Sequence, residues 1–249
     1  MPNTSSPNRI SDYYNKHANQ YYNTRVISGG SLFNDFIEMP AVLSILSEDL
    51  KNLEALDIGC GLGLYSKILY ERGAKVTAID ISNEMINYAK VTCADTSVNF
   101  IETNFYDFVS PSTFGYNIII GGFMLSYFDD LDKIFSKISV LLAKNGECIF
   151  SMLHPLRLSS KRDSSGQYFV DNYFDNTALY ETDFLNNNDL LYLKKWSISD
   201  VSKASRNHNL LIESIIEPQP IQMPAHLKSD KIEYFFRCPS VIIFKFIRR

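Results

Sequence analysis

The chain has 249 residues, with 24 lysines and arginines against 28 aspartates and glutamates, for a formal net charge of -4. That length buries a sizeable core and is common for one α/β domain, so we expect a single domain over residues 1–249. Nucleic-acid-binding proteins usually carry clustered basic residues, whereas Lys161-Arg162 and Arg248-Arg249 are isolated pairs here, which disfavours DNA or RNA as a partner. No stretch reaches about eighteen uncharged apolar residues, and the amino terminus lacks an apolar signal segment.

Strand and helix patterns alternate along the first half of the chain. Short apolar runs predict strands and apolar residues at helical spacing predict helices, with Ser82 expected to cap one helix and Gly73 to end another. In chain order the pattern predicts a strand ending at Ile58, a helix over Leu64–Arg72, a strand over Lys75–Asp80, a helix after Ser82 and a strand over Val98–Thr103.

The second half continues this alternation around one long insertion. The pattern predicts a strand over Tyr116–Ile120, a helix from Leu131 to the turn at Asn145-Gly146, a strand over Glu147–Met152, and late strands over Leu211–Glu217 and Ser240–Phe246. Such alternation is typical of a doubly wound, mostly parallel α/β sheet, here of seven strands. Residues 156–197 are too long for a simple connection and rich in aromatic residues, so we expect them to cover a substrate.

The most informative motif runs from Asp57 to Gly63, with glycines at every second position from Gly59. Such glycines allow a tight turn and a close approach of the backbone to a ligand. The next strand ends at Asp80, a carboxylate that can accept hydrogen bonds from both hydroxyls of a ribose. The two features predict a pocket for a nucleoside-bearing cofactor at the carboxyl edge of the sheet. A dinucleotide-binding loop would carry its third glycine where this chain has Leu64, which disfavours a nicotinamide-dependent oxidoreductase.

The D-x-G-x-G-x-G order, followed by an acid after the next strand, resembles motif I of the class I S-adenosylmethionine-dependent methyltransferases. Softer similarities to small bacterial members of this class extend over most of the chain, including Asp12–Tyr22, Ile37–Ala41 and Ser151–Pro155. The resemblance implies a Rossmann-like methyltransferase fold with an antiparallel last strand and an N-terminal helical lid over residues 1–45. It also implies S-adenosylmethionine as cofactor and S-adenosylhomocysteine as product. One departure is Lys195-Trp196, where similar chains tend to carry His-Arg.

The resemblance further implies roles for individual residues. Asp57 would orient the loop and the methionine ammonium, Asp80 would bind the ribose, Ile81 would lie against the adenine, and Asn104 would accept a hydrogen bond from the adenine amino group. The predicted cofactor-binding residues are Tyr14, Tyr22, Asp57, Gly59, Cys60, Gly61, Asp80, Ile81, Asn104, Phe105 and Gly121. The predicted substrate-facing residues are Tyr14, Phe123, Met124, Tyr127, His154, Tyr173 and Trp196.

Methyl transfer requires chiefly proximity and alignment, and an oxygen nucleophile also needs a base. His154 is the best candidate for that base, because it follows the fifth strand at the carboxyl edge and an imidazole titrates near neutral pH. The alternative is a histidine that is hydrogen-bonded to fix the turn before Pro155. Tyr22 is the second catalytic candidate. Asp57 and Asn104 each have the alternative of stabilising a turn.

Two classes of function stay open at this point. The favoured one is methyl transfer to an oxygen or nitrogen of a small-molecule metabolite, and the other is a protein that binds the cofactor without methyl transfer, as a scaffold or binding subunit or in another reaction such as a cyclisation. No metal is predicted, because Asp129-Asp130 is better explained as a helix cap. The four cysteines are far apart and typical of reduced thiols. We expect a cytoplasmic monomer or homodimer with no nucleic-acid or membrane partner.

Overall fold

The computed structural model describes residues 7–175, 179–182, 189, 191–221 and 230–248. In chain order the helices are α1 Pro7–Tyr22, α2 Met39–Ile45, α3 Leu64–Glu71, α4 Asn83–Thr92, α5 Leu131–Leu141, α6 Pro155–Ser159, α7 Ile198–Asn207 and α8 Asp230–Arg237. The strands are β1 Glu54–Ile58, β2 Lys75–Asp80, β3 Asn99–Glu102, β4 Tyr116–Gly121, β5 Leu142–Leu153, β6 Ser160–Arg162, β7 Tyr168–Val170, β8 Leu179–Thr182, β9 Leu191–Lys194, β10 Leu210–Ile216 and β11 Val241–Arg248. Two π-helical turns, Asn23–Ile27 and Asn34–Glu38, separate α1 from α2, and a 3₁₀ turn covers Leu125–Tyr127.

The central sheet has seven strands in the order β10-β11-β5-β4-β1-β2-β3. Strands β1 to β5 pair in parallel, and β11 runs antiparallel to both of its neighbours. The sequence-based prediction of a doubly wound, mostly parallel sheet with an antiparallel last strand is confirmed. Because the chain winds outward in both directions from β1, the carboxyl ends of β1 and β4 form a topological switch point, where ligands bind in such folds.

The sheet is buried on both faces, as its continuous apolar strands predict. One face of β1 and β4 carries Leu56 and Ile119, which pack in a core with Ile134 of α5. The opposite face carries Ala55 and Ile118, which pack in a second core with the side chains of α2 and α3. Alternate residues of each strand therefore hold the two helical layers and fix the carboxyl edge between them.

The predicted helix ends occur largely where the sequence places them. Ser82 Oγ accepts a hydrogen bond from the Met85 amide at 3.1 Å, and Asp130 Oδ1 accepts one from the Lys133 amide at 3.0 Å. The predicted end of α5 at Asn145-Gly146 was wrong, because the helix ends at Leu141 and β5 begins at once. Leu142 already pairs with Tyr116 of β4, and a register shift follows before the long straight part of β5.

The insertion over residues 156–197 contains α6 and two antiparallel hairpins, β6–β7 and β8–β9. Residues 176–178, 183–188 and 190 of this segment lie outside the described residues. The buried Lys195 donates hydrogen bonds to Ser159 Oγ at 3.0 Å and to the Asn172 carbonyl, which joins the end of β9 to α6 and to the segment after β7. No helix within the described ranges is long and apolar enough to cross a bilayer.

Candidate functional site

The three glycines of the loop after β1 have positive φ angles but different surroundings. A Cβ at Gly59 would overlap the Sδ of Met124, and one at Gly63 would stand 3.0 Å from Cys93 Sγ. Among the described atoms, nothing lies within 4 Å of the position that a Cβ would take at Gly61. Packing therefore explains Gly59 and Gly63, while the space beside Gly61 is open to a ligand.

Asp80 borders that open space at the end of β2. Its Oδ2 accepts a hydrogen bond from the Gly61 amide at 2.8 Å, and its Oδ1 accepts one from the Ser82 amide at 2.9 Å. The residue is 8% exposed. Burial raises the pKa of this carboxyl, and the backbone donors oppose the rise. Each carboxylate oxygen has a further lone pair, so Asp80 can still accept hydrogen bonds from a bound hydroxyl.

Asp57 lies under the loop and is 1% exposed. Its Oδ2 accepts a hydrogen bond from Ser66 Oγ at 2.6 Å, which joins β1 to the first turn of α3. Burial raises the pKa of Asp57 to about 7, although the hydrogen bond from Ser66 acts to lower it. Cys60 is also buried, and burial raises the pKa of its thiol well above the usual range, which disfavours a reactive thiolate.

Helix α1 lies against the connection between β2 and α4. Ser11 Oγ donates a hydrogen bond to the carbonyl of Ile81 at 3.1 Å. Asn15 Oδ1 accepts hydrogen bonds from Ser82 Oγ at 2.7 Å and from the Glu84 amide at 3.2 Å. These contacts put the N-terminal helix beside two predicted cofactor residues, Asp80 and Ile81.

The predicted tyrosines of α1 lie beside the glycine loop. Tyr14 and Tyr22 pack in one cluster with Leu62 of the loop. The hydroxyls of Tyr14 and Tyr127 are 2.5 Å apart, and burial raises the pKa of both phenols, so each keeps its proton at neutral pH. The ring of Tyr22 stacks on Tyr88 of α4 at a centroid distance of 4.7 Å. The structure thus joins Tyr14 to a predicted substrate residue and Tyr22 to the neighbouring helix.

The chain turns back over the glycine loop after β4. A Cβ at Gly121 would overlap the ring of Phe150, so this position is glycine for packing. Phe123 has a φ of 56°, and its amide donates a hydrogen bond to Ser151 Oγ at 2.7 Å. Met124 follows and packs against Gly59. Phe123 and Met124 therefore lie close to the loop, as the predicted pocket wall requires.

Glu38, a residue that sequence reasoning missed, is 1% exposed at the carboxyl edge of β4 and β5. Its Oε1 accepts a hydrogen bond from Ser151 Oγ at 2.6 Å, and its Oε2 accepts one from the Tyr65 hydroxyl at 2.7 Å. Burial raises the pKa of this carboxyl, while the two hydroxyls and the nearby charge of Arg25 oppose the rise. The available signal was an acid between the apolar residues Ile37 and Met39.

His154 caps α6 and has both ring nitrogens engaged. Its Nδ1 accepts a hydrogen bond from the Leu156 amide at 3.0 Å, so the ring proton is on Nε2, which donates to Glu217 Oε1 at 2.8 Å. Burial lowers the pKa of His154, and Glu217 opposes that change. This geometry is that of the turn-fixing alternative, and a role as base stays a prediction. Burial raises the pKa of the Tyr173 phenol, and the nearby charge of Glu217 adds to that rise.

The remaining predicted residues make local contacts. Asn104 Oδ1 accepts a hydrogen bond from the Tyr106 amide at 3.0 Å, as a turn former would. The Phe105 ring is buried in the core against Phe128. The Trp196 indole nitrogen donates to the Phe128 carbonyl at 3.2 Å. Among the described residues, no group of three or more His, Cys, Asp or Glu side chains is placed to hold a metal ion.

Residues 55–146 match a family model described as a methyltransferase domain. The match begins in β1 and ends in β5, so it includes the glycine loop, Asp80 and the end of β4.

Two curated relatives are similar over part of their length. A ubiquinone biosynthesis O-methyltransferase of Colwellia psychrerythraea is 31% identical over 127 residues, which are 48% of this chain and 51% of that protein. A malonyl-[acyl-carrier protein] O-methyltransferase of Acetivibrio thermocellus is 32% identical over 113 residues, which are 44% of this chain and 39% of that protein. The chain spans about half or less of the curated relatives that it matches.

The fold is similar to that of an S-adenosylmethionine dependent methyltransferase of Mesorhizobium loti. The TM-score is 0.69 at 21% sequence identity, and the match covers 84% of this chain and 96% of the other. At this identity the likeness shows that the two proteins share a fold.

Proposed function

We propose that this chain, whose residues 55–146 match the model of a methyltransferase domain, binds S-adenosylmethionine and transfers its methyl group to an oxygen or nitrogen of a small molecule. The observation that carries the proposal is the open space beside Gly61, bordered by the buried carboxylate of Asp80. A ligand could occupy the space that a Cβ at position 61 would enter, and the carboxylate would supply a charged acceptor for a ribose diol.

The other predicted residues would suit the rest of an adenosyl cofactor. Ile81, next to Asp80, would supply an apolar surface for the adenine, and the Asn104 amide oxygen has a second lone pair that could accept from the adenine amino group. Tyr14 and Tyr22 would close over the cofactor from α1, which is already held against the β2–α4 connection.

Bound S-adenosylmethionine would supply an activated methyl group on a sulfonium, with a neutral thioether as leaving group. The chain would hold the acceptor in line with that group and exclude water, and alignment of this kind is worth about 7 to 11 kcal/mol. The Tyr14–Tyr127 hydroxyl pair would contribute to the exclusion, because it joins α1 to the turn after β4. An oxygen nucleophile must also lose its proton. His154 could accept it only after Nδ1 releases the Leu156 amide, and Tyr22 is the second candidate.

The acceptor would lie between the β4 end and the segment over residues 156–197. The side chains proposed to face the acceptor are apolar or aromatic, which would suit a small organic acceptor better than a nucleic acid: Phe123, Met124, Tyr127, Tyr173 and Trp196. The two curated relatives are named O-methyltransferases, which favours an oxygen atom. We further propose a single domain with a lid over residues 1–45, of which residues 1–6 lie outside the described part of the chain. We also propose that the protein acts in the cytoplasm as a monomer or homodimer without a nucleic-acid or membrane partner.

The test is isothermal titration of the purified chain with S-adenosylmethionine, S-adenosylhomocysteine and NAD, followed by labelled-methyl transfer to a panel of phenols, amines and carboxylic acids. We expect binding of the first two ligands, no binding of NAD, and labelling of at least one class of acceptor. Absence of S-adenosylhomocysteine binding would overturn the proposal. Binding without labelling across the panel would favour a cofactor-binding protein that does not transfer methyl groups.

A further inference from the structure

Glu38 connects the N-terminal segment to the wall of the proposed cofactor pocket. We propose that it is a positioning residue, which couples closure of this segment to the shape of the chain after β4. The coupling runs through the Glu38 network, defined as Glu38, Tyr65, Ser151 and the amide of Phe123. The inference rests on the proposed function, because the pocket wall concerned is that of the cofactor site.

The carboxylate is held by donors from the sheet side. Glu38 ends the second π-helical turn, whereas Tyr65 belongs to α3 and Ser151 to β5. Burial of a carboxylate is costly unless it is hydrogen-bonded. Both of its oxygens have a hydroxyl donor within 2.7 Å. Movement of this part of the N-terminal segment away from the sheet would break both bonds together, so Glu38 supplies two of the contacts that hold the segment in place.

Ser151 connects Glu38 to the chain after β4. A hydroxyl has one proton, which Ser151 donates to Glu38, while its oxygen accepts from the Phe123 amide. Phe123 has a φ of 56°, a left-handed conformation that is uncommon for a residue other than glycine. The bond to Ser151 stabilises that conformation. The next residue, Met124, packs on Gly59, so the effect reaches the glycine loop.

Gly122 explains why the network is so compact. A Cβ at this position would stand 3.2 Å from Glu38 Oε1 and 3.0 Å from the Tyr65 ring. The carboxylate therefore lies directly against the backbone that follows β4, at the switch point of the sheet. Tyr65 lies two residues after Gly63, so the same carboxylate also contacts the helix that begins at the glycine loop.

The test compares Glu38→Gln, Ser151→Ala and their double variant for S-adenosylhomocysteine affinity by isothermal titration, with thermal unfolding measured alongside. We expect each single variant to bind about tenfold more weakly or worse, since the chain after β4 would then occupy its binding position for only part of the time. We expect the double variant to bind no more weakly than the worse single variant, because both changes break one connection. A matched control is Ser240→Ala, whose buried hydroxyl has no hydrogen-bond partner among the described residues.

Hydrogen–deuterium exchange of the segment 121–125 supplies a readout that needs no cofactor. We expect faster exchange at the Phe123 amide in Glu38→Gln than in the wild type or in Ser240→Ala. Should Glu38→Gln fail to fold, Tyr65→Phe removes one hydroxyl from the network, with Tyr70→Phe on the same helix as its control. We then expect faster exchange at the Phe123 amide in Tyr65→Phe only.

Unchanged affinity and unchanged exchange in folded variants would overturn the inference, as would strictly additive losses in the double variant. Lower unfolding temperatures at constant affinity and constant exchange would indicate a merely structural role. A wild type that does not bind S-adenosylhomocysteine would refute the proposed function. The exchange experiment would still decide whether Glu38 positions the segment after β4.

Discussion

Replacement of Asp57 by asparagine should change how the stability of the protein depends on pH. The Asp57 carboxyl is buried under the glycine loop, and its pKa is raised from 3.8 to about 7. Between about pH 4 and pH 7 the folded state thus binds more protons at this site than the unfolded state does. The free energy of unfolding of the wild type should therefore fall as the pH rises through this range. Asp57→Asn keeps the size of the side chain and an oxygen that can accept from Ser66 Oγ, but it cannot ionise.

The magnitude follows from the difference between the two pKa values. A pKa that is higher by about 3 corresponds to roughly 4 kcal/mol in full, of which about 2 to 3 kcal/mol falls between pH 5 and pH 8. Urea unfolding at both pH values can be followed by the fluorescence of Trp196, the single tryptophan of the chain. On going from pH 5 to pH 8, we expect the free energy of unfolding of Asp57→Asn to rise by that amount relative to that of the wild type. Parallel pH profiles for the two proteins would refute the assigned burial of an ionising group.

Three further substitutions test the candidate site. Gly61→Ala should lower the free energy of unfolding by about 1 kcal/mol, because the residue has a positive φ. It should weaken S-adenosylhomocysteine binding at least tenfold in titration, because the added Cβ would enter the open space. Undiminished binding would show that no ligand lies there. Asp80→Asn should weaken the same binding by about 1.5 to 3 kcal/mol through loss of a charged acceptor, and equal affinity would remove the ribose assignment. His154→Gln should lower the unfolding midpoint in urea, because the cap of α6 is lost. Unchanged kcat and an unchanged pH profile would leave His154 with the turn-fixing role alone, whereas loss of kcat in a stable variant would support His154 as the base.

Much of the fold could be predicted because parallel strands buried on both faces leave a simple pattern. The run Tyr116–Ile120 is apolar except at Asn117, and the structure buries every residue of it except the partly exposed Asn117. The start of β5 could not be predicted in the same way. Helical spacing continues to Leu142, and a single backbone pairing with Tyr116 transfers that residue to the sheet. Tertiary pairing overrides local periodicity at such a boundary.

Part of the candidate site could be predicted from local sequence, and part depends on contacts between residues that are distant in sequence. The glycine loop and Asp80 are local motifs, so the sequence places them at one edge of the sheet. The reason for each glycine was not predictable, because the neighbours of Gly59 and Gly63 are Met124 and Cys93, which are distant in sequence. Glu38 was missed for the same reason. Its partners are 27 and 113 residues away, and nothing near position 38 indicates that hydroxyls will meet it.

Helix α1 shows why the contact partners of a residue are harder to predict than its place at the carboxyl edge of the sheet. All parallel strands of one sheet end at the same edge, so any polar residue after such a strand can be assigned to that edge from its position alone. Helix α1 reaches the edge from outside the sheet, and its place depends on contacts at both ends of the site. Ser11 bonds the backbone after β2, while His17 bonds Asp189 at 2.8 Å in the segment before β9. Each bond is weak alone, and the packing of the α1 tyrosines against Leu62 and Met85 adds to them.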